Sequence, residues 1–168
     1  MPINQTVAYV FDGIELKKIF PDNDNRLIIH HNVSEGYHGV VFITGEGHFP
    51  VVVPFKSTGG VLEIKSIKLQ MIKDKRKGIL TGVVYTPVVG GKLREHRGIK
   101  RLFSDEEVRI FNNKHLYTVK TDKRGVFTIL LPEGEYSITS GSKQAGKIRI
   151  KSGRTTIKNI QKGLVLID

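Results

Sequence analysis

The side chains best suited to metal binding or proton transfer in this sequence are six histidines, His30, His31, His38, His48, His96 and His115. His30-His31 is the tightest pair. On a strand, adjacent side chains point to opposite faces, so the two cannot readily chelate one ion. His38 or His48 would have to join one of them across strands. None of the six has Glu three positions on, so a His-x-x-Glu zinc pair is missing. Asp22-Asn23-Asp24-Asn25 has the oxygen density of a calcium loop, but no Gly and no bidentate Glu follow at the required spacing. It reads as a turn. Gly45-Glu46-Gly47 is too short for a nucleotide fingerprint and reads as a hairpin. There is no Gly-x-Ser-x-Gly, no phosphate-binding loop and no nucleophile arrangement. With no Cys among 168 residues, disulfides, thiolate chemistry and Cys-ligated zinc drop out. The expectation is a protein with no catalytic site, no cofactor and no metal.

The cations carry more information. The chain has 27 Lys+Arg against 16 Asp+Glu, a net charge of +11. Residues 1–75 carry 8 of each sign, whereas residues 76–168 carry 19 against 8, so the whole excess lies in the second half. Lys147, Arg149 and Lys151 alternate with Ile148 and Ile150, which on a strand places all three on one outward face. Arg154, Lys158 and Lys162 continue the adjoining segment. Lys92, Arg94, Arg97, Lys100 and Arg101 add five cations, read as a loop. Such a field attracts polyanions: nucleic acid, acidic glycan, an anionic envelope or an acidic protein. A single nucleic-acid strand calls for interleaved aromatics as stacking platforms. Tyr85, Phe103, Phe111, Phe127 and Tyr136 occupy strand positions that suggest core, which counts against that partner. A solvated face that only confers solubility stands beside the polyanion reading.

The elements that must position these residues are strands. Val51-Val52-Val53, Val61–Lys65, Val126–Leu131 and Lys147–Lys151 are short, β-branched or aromatic, and separated by turn residues. With 18 Gly and 6 Pro at roughly strand intervals, no window supports an amphipathic helix. Ser104-Asp105-Glu106-Glu107 resembles a helix start, but Val108–Phe111 follows as a strand, so it reads as a loop. At 39% hydrophobic and 26% charged residues, the chain can bury a core and is not disordered. The fold class is all-β, a sandwich or barrel.

An internal repeat divides the chain. Asp24-Asn25-Arg26 is followed by Glu35-Gly36 at the spacing with which Asp122-Lys123-Arg124 is followed by Glu133-Gly134. Counted from Gly60 and Gly153, an Ile-Lys-x-Ile pattern then recurs at identical offsets (Ile64–Ile67, Ile157–Ile160). Two β-sandwich units are expected, at 1–74 and 75–168, joined by the basic linker 73–77. The second opens with the strand Gly78–Pro87, for which the first has no counterpart. A sandwich short of one strand exposes unpaired backbone, so Thr6, Val7, Ala8, Tyr9, Val10 and Phe11 are expected to form an open edge for a partner strand. A six-stranded unit with a protected edge is the other possibility.

The second unit resembles the carboxypeptidase regulatory-like domain, a transthyretin-like (prealbumin-like) sandwich. Leu80–Val84, Thr121–Phe127, Leu131–Ile138 and Gly153-Arg154-Thr155-Thr156 carry the likeness, with Asp122 and Gly125 at a hairpin turn and Tyr136 packed inward. The likeness extends more weakly to the first unit through Ser34–Tyr37 and Thr58–Leu62. These residues define architecture and not activity. The zinc site of the carboxypeptidases belongs to a separate domain, and the Tyr-Arg-Gly-Ser ending of transthyretin-like hydrolases is not the ending seen here. The duplicated sandwich and the lack of catalytic motifs lead to the expectation of a non-catalytic structural or adaptor subunit of a larger extracellular, cell-surface or phage-like assembly, with protein partners or self-association. A binding module for acidic glycan or envelope polymer is the alternative. No apolar stretch reaches the length of a membrane span. Residues 1–5 lack the basic start and apolar run of a secretory signal, and a surface or particle-associated location is the expectation.

Overall fold

The computed structural model describes residues 6–24, 26–64, 67–93 and 95–168. Among the described residues sixteen strands run in chain order: β1 (Thr6–Phe11), β2 (Leu16–Ile19), β3 (Leu27–His30), β4 (His38–Gly45), β5 (Val51–Lys56), β6 (Val61–Ile64), β7 (Lys77–Gly90) and β8 (His96–Leu102). They continue as β9 (Glu107–Phe111), β10 (Leu116–Lys120), β11 (Val126–Pro132), β12 (Gly134–Ser140), β13 (Lys143–Ile150), β14 (Thr155–Ile157), β15 (Ile160–Gln161) and β16 (Val165–Ile167). No helix occurs among the described residues, and none is long and apolar enough to cross a membrane. The molecule is all-β, of the β-sandwich class.

The two halves repeat one connectivity. In the second, the sheet order is β10-β9-β12-β13. In the first, β1 pairs β2 on one side and β4 on the other, and β4 pairs β5, giving β2-β1-β4-β5. The hairpins match residue for residue at a spacing of 100. Phe11 pairs Leu16 and Phe111 pairs Leu116. Asp12 Oδ1 accepts the N–H groups of Ile14 and Glu15, and Asn112 Oδ1 accepts those of Lys114 and His115. The next turn is also conserved between halves. Asp22 Oδ1 accepts from Asp24 and Arg26, and Asp122 Oδ1 from Arg124 and Val126. Asp122 is therefore the counterpart of Asp22, not of Asp24 as the sequence comparison aligned it. A short polar side chain capping its own turn explains why Asp or Asn stands at all four positions.

The missing opening strand has a different consequence from the one expected. In the second half, β7 lies between β11, antiparallel, and β14, parallel. In the first half, β3 and β6 close the gap by pairing directly and antiparallel, from Leu27↔Ile64 to His30↔Val61. The strand Thr6–Phe11 is not an open edge, because β4 covers one side along its whole length and β2 covers the other from Ala8 to Phe11. Among the described residues, backbone groups without ladder partners lie along the outer edges of the β3-β6 pair, as they do along β2, β5, β10 and β13.

Three apolar clusters stack the sheets. Leu27, Ile29, Ala8, Val10, Val41 and Ile43 pack β3-β6 against one face of β2-β1-β4-β5. Leu80, Phe127 and Leu131 pack β11-β7 against Val108, Ile110, Tyr136, Ile138 and Ile150 of the four-stranded sheet. The third cluster draws on both halves: Phe11, Val40, Phe42 and Val52 meet Val83, Tyr85, Ile99 and Val126. The Phe11 and Tyr85 rings lie edge to face there, with centroids 4.9 Å apart. Strands β4 and β7, which β8 joins into one ten-stranded sheet by pairing both, are thus buried on both faces. Val40-Val41-Phe42-Ile43 and Val83-Val84 are runs of wholly inaccessible side chains, the pattern of strands covered on both sides. The boundary at 74/75 is a point in the chain and not a break in the packing.

Two corners join the second half's sheets. The Asp122–Gly125 turn leads from β10 to β11, which belong to different sheets, so it is not the hairpin expected; Gly125 sits at φ +82°. At the β11–β12 corner the buried Tyr136 hydroxyl donates to Pro132 O at 2.8 Å, anchoring the reversal. Burial pushes the Asp122 carboxyl upward in pKa, but the N–H groups of Val126 and Arg124 and the Arg124 guanidinium outweigh it, and the net shift is down. A carboxyl with a lowered folded-state pKa stabilises the fold above its unfolded value and loses that contribution as pH falls through the folded value. We expect thermal stability to fall as pH drops through and below 3.8, the ordinary carboxyl value. Asp122→Asn keeps an Oδ1 acceptor, as Asn112 does in its own turn, and flattens that slope; parallel melting curves in acid check it.

Candidate anion-binding cleft

The structure divides the cations singled out in the sequence. Lys147 and Arg149 lie exposed on β13, with Ile148 and Ile150 buried between and after them, and Lys151 follows, also exposed. The alternation places them on one face, as read. Among the described residues β13 has β12 as its neighbour and no ladder on its other side, and charged side chains there protect an edge from unwanted pairing. On the same face Glu135 stands opposite Arg149, and Glu107 holds Arg109 at 2.6 Å. Arg154 is exposed and Lys158 half-buried. Lys162 is held by Glu106 at 3.0 Å.

The segment read as a basic loop is mostly strand β8. Lys92 lies exposed before it, and Arg94 lies outside the described residues. Arg97 is no free cation. Its Nε lies 2.7 Å from Oδ2 of Asp12, whose side chain is only 8% exposed, and its Nη2 lies 3.3 Å from Glu15. The Nε contact is a charge pair whose N–H is off the hydrogen-bond line. Arg97 is also tied through its backbone, with Ser34 N–H donating to its carbonyl and its own N–H donating to Ser34 Oγ. This residue bolts the halves together.

Lys100 and Arg101, by contrast, open into a shallow cleft of about 510 Å³ where the halves meet. Lys56 and His38 enter from the first half, and Lys123 and Arg124 from the Asp122 turn. Pro54, Phe55 and Leu102 complete the lining, which contains no carboxylate side chain. Among the described residues, Lys56, Lys100, Arg101 and Lys123 have no carboxylate within 4.0 Å. Arg124 is fixed from two sides, with Asp122 at 3.0 Å and Val52 O at 2.8 Å. The Arg101 guanidinium lies 4.4 Å from the Phe103 ring centroid and the Lys100 ammonium 5.8 Å from that of Tyr37, cation–π contacts that orient both heads.

Sequence reading found two of these cations, missed Lys56, Lys123 and Arg124, and weighed His38 only as a metal ligand. Their segments are far apart along the chain and meet only in the fold, where β5 and β8 both pair β4 at His38. The clustering also changes the charge picture: the neutral first half contributes to the most cationic concavity. Of the other histidines, His31 stacks on Phe55 at 4.8 Å, and burial lowers its pKa. The exposed His48 has Nδ1 2.8 Å from Glu46 O. No group of three or more His, Asp or Glu placed to hold a metal ion occurs among the described residues.

No protein-family model matches the chain, and no curated protein does. Among solved structures the chain is similar to the Bacillus anthracis TIE protein, at a TM-score of 0.39 and 14% identity. That similarity covers 94% of this chain and 34% of that one, so the chain spans about a third of its length. It is a distant structural neighbour.

Proposed function

We propose that the protein is a non-catalytic structural or adaptor module, two copies of one transthyretin-like sandwich stacked into a single rigid body within a larger assembly. The observation that carries this reading is the burial of β4 and β7 on both faces, within one sheet that β8 carries across the two halves. A hinge between the halves would have to expose Val40, Phe42, Val83 and Ile99, all wholly buried, at about 1.5–3 kcal/mol for each large side chain. The cross-links reinforce the stack. Gly47 N–H donates to Gly153 O at 2.7 Å and Arg124 to Val52 O. A body with fixed ends suits a spacer or docking piece better than an enzyme that must open and close. The outer edges of β3-β6, with Ile28 40% and Val61 57% exposed, suit docking between subunits.

Sedimentation velocity across a wide concentration range tests the reading. Concentration-dependent self-association, or co-sedimentation with a neighbouring subunit, is the expected result. A strictly monomeric particle that associates with nothing from its source contradicts it.

A further inference from the structure

We propose that the cleft bounded by Lys56, Lys100, Arg101, Lys123 and Arg124 binds the carboxylate or sulfate groups of an acidic polysaccharide. The assignment goes beyond the scaffold reading and does not depend on it. The case rests on what the cleft offers and what it withholds. It offers five cations from three separate segments, with no carboxylate side chain in the lining, so an entering oxyanion displaces no internal carboxylate from four of them. Three of the five heads, those of Lys100, Arg101 and Arg124, are already oriented by contacts within the protein, which lowers the entropy lost on binding.

The aromatic rings beside the cleft are occupied. Tyr37 lies under Lys100, Phe103 under both Arg101 and Lys162, and Phe55 against His31. None is left as a free platform for a base, which a single nucleic-acid strand would use. The neighbouring strand edge is closed to an extended acidic peptide as well. Arg124 takes the Val52 carbonyl and Pro54 has no N–H, so β5 cannot supply a ladder there. A polymer read by its charges alone is the ligand that fits, and an acidic glycan presents such charges without needing a stack or a strand.

The probes are heparin and polygalacturonate, with single-stranded DNA as the competing polyanion and affinities measured at several salt concentrations. Two triple variants remove equal charge: Lys100→Gln/Arg101→Gln/Lys123→Gln in the cleft, and Lys147→Gln/Arg149→Gln/Lys151→Gln on β13. The expected result is glycan binding that weakens about ten-fold in the cleft variant, as three lost exposed ion pairs imply, and less than about two-fold in the β13 variant. If the cleft triple loses its melting transition, Lys56→Gln/Lys123→Gln carries the same comparison at two exposed sites. Equal losses in both variants, no binding to either glycan, or tighter binding of the DNA than of both glycans overturns the proposal.

Discussion

Replacing Gly82 by Ala lowers the unfolding free energy by about 3 kcal/mol, the upper part of the usual range for forcing a methyl group into a full interior. At this chain length that is a drop of about 10 °C in melting temperature. A Cβ at Gly82 would stand 1.9 Å from Lys158 O and 2.9 Å from the Phe127 ring. Neither neighbour can yield. Lys158 N–H donates to Thr81 O, and Asn159 Oδ1 accepts from Val83 N–H. The Lys158-Asn159 link is therefore stitched onto β7 on both sides of Gly82. The control is Gly59→Ala, where the added methyl meets nothing within 4 Å; a change of less than about 0.5 kcal/mol is expected there. Equal melting temperatures for the two variants would place the chain after β14 elsewhere.

The second large effect concerns Asp12 and Arg97. Arg97→Met leaves a nearly inaccessible carboxylate without its cation, at a cost of about 3 kcal/mol. The loss stays at the low end for a broken buried pair because Oδ1 keeps the N–H groups of Ile14 and Glu15. Asp12→Asn isolates the charge: the amide oxygen keeps both bonds, as Asn112 does in the second half, and only the attraction to Arg97 is lost. The repeat itself supports this design, since the half without a facing arginine carries the neutral residue. Denaturant unfolding of the two single variants and the double variant measures the coupling. The double variant should be less damaged than the sum of the singles by about 1 kcal/mol or more. Strict additivity would mean that the contact does not hold the halves.

Much of the fold was legible in the residues. The all-β class follows from period-two runs such as Lys147–Lys151, and the structure alternates exposure along them as the sequence does. The long opening strand of the second half was visible as Gly78–Pro87 and extends to Lys77–Gly90. The stacking of the halves was not read, although its signal was present. Val40–Ile43 does not alternate, and a strand apolar on both faces needs a layer on each side. The open edge was misplaced for a topological reason. Removing the middle strand of β11-β7-β14 leaves two strands of opposite direction, and β3 and β6 can then bond each other without turning. Arg97 illustrates a third limit. In the sequence it is one cation of a basic run; only the approach of the Asp12 turn, 85 residues away in the chain, makes it internal. The cleft cations share that limit, since β5, β8 and the Asp122 turn come together only through long-range pairing and packing.

Differential scanning calorimetry of the whole chain puts the shared core to the most direct test. Two sandwiches joined through Phe42, Val52, Val83 and Tyr85 should melt in one transition whose calorimetric and van't Hoff enthalpies agree. Two resolved transitions, or a van't Hoff enthalpy near half the calorimetric value, would show the halves to be independent and contradict the rigid stack.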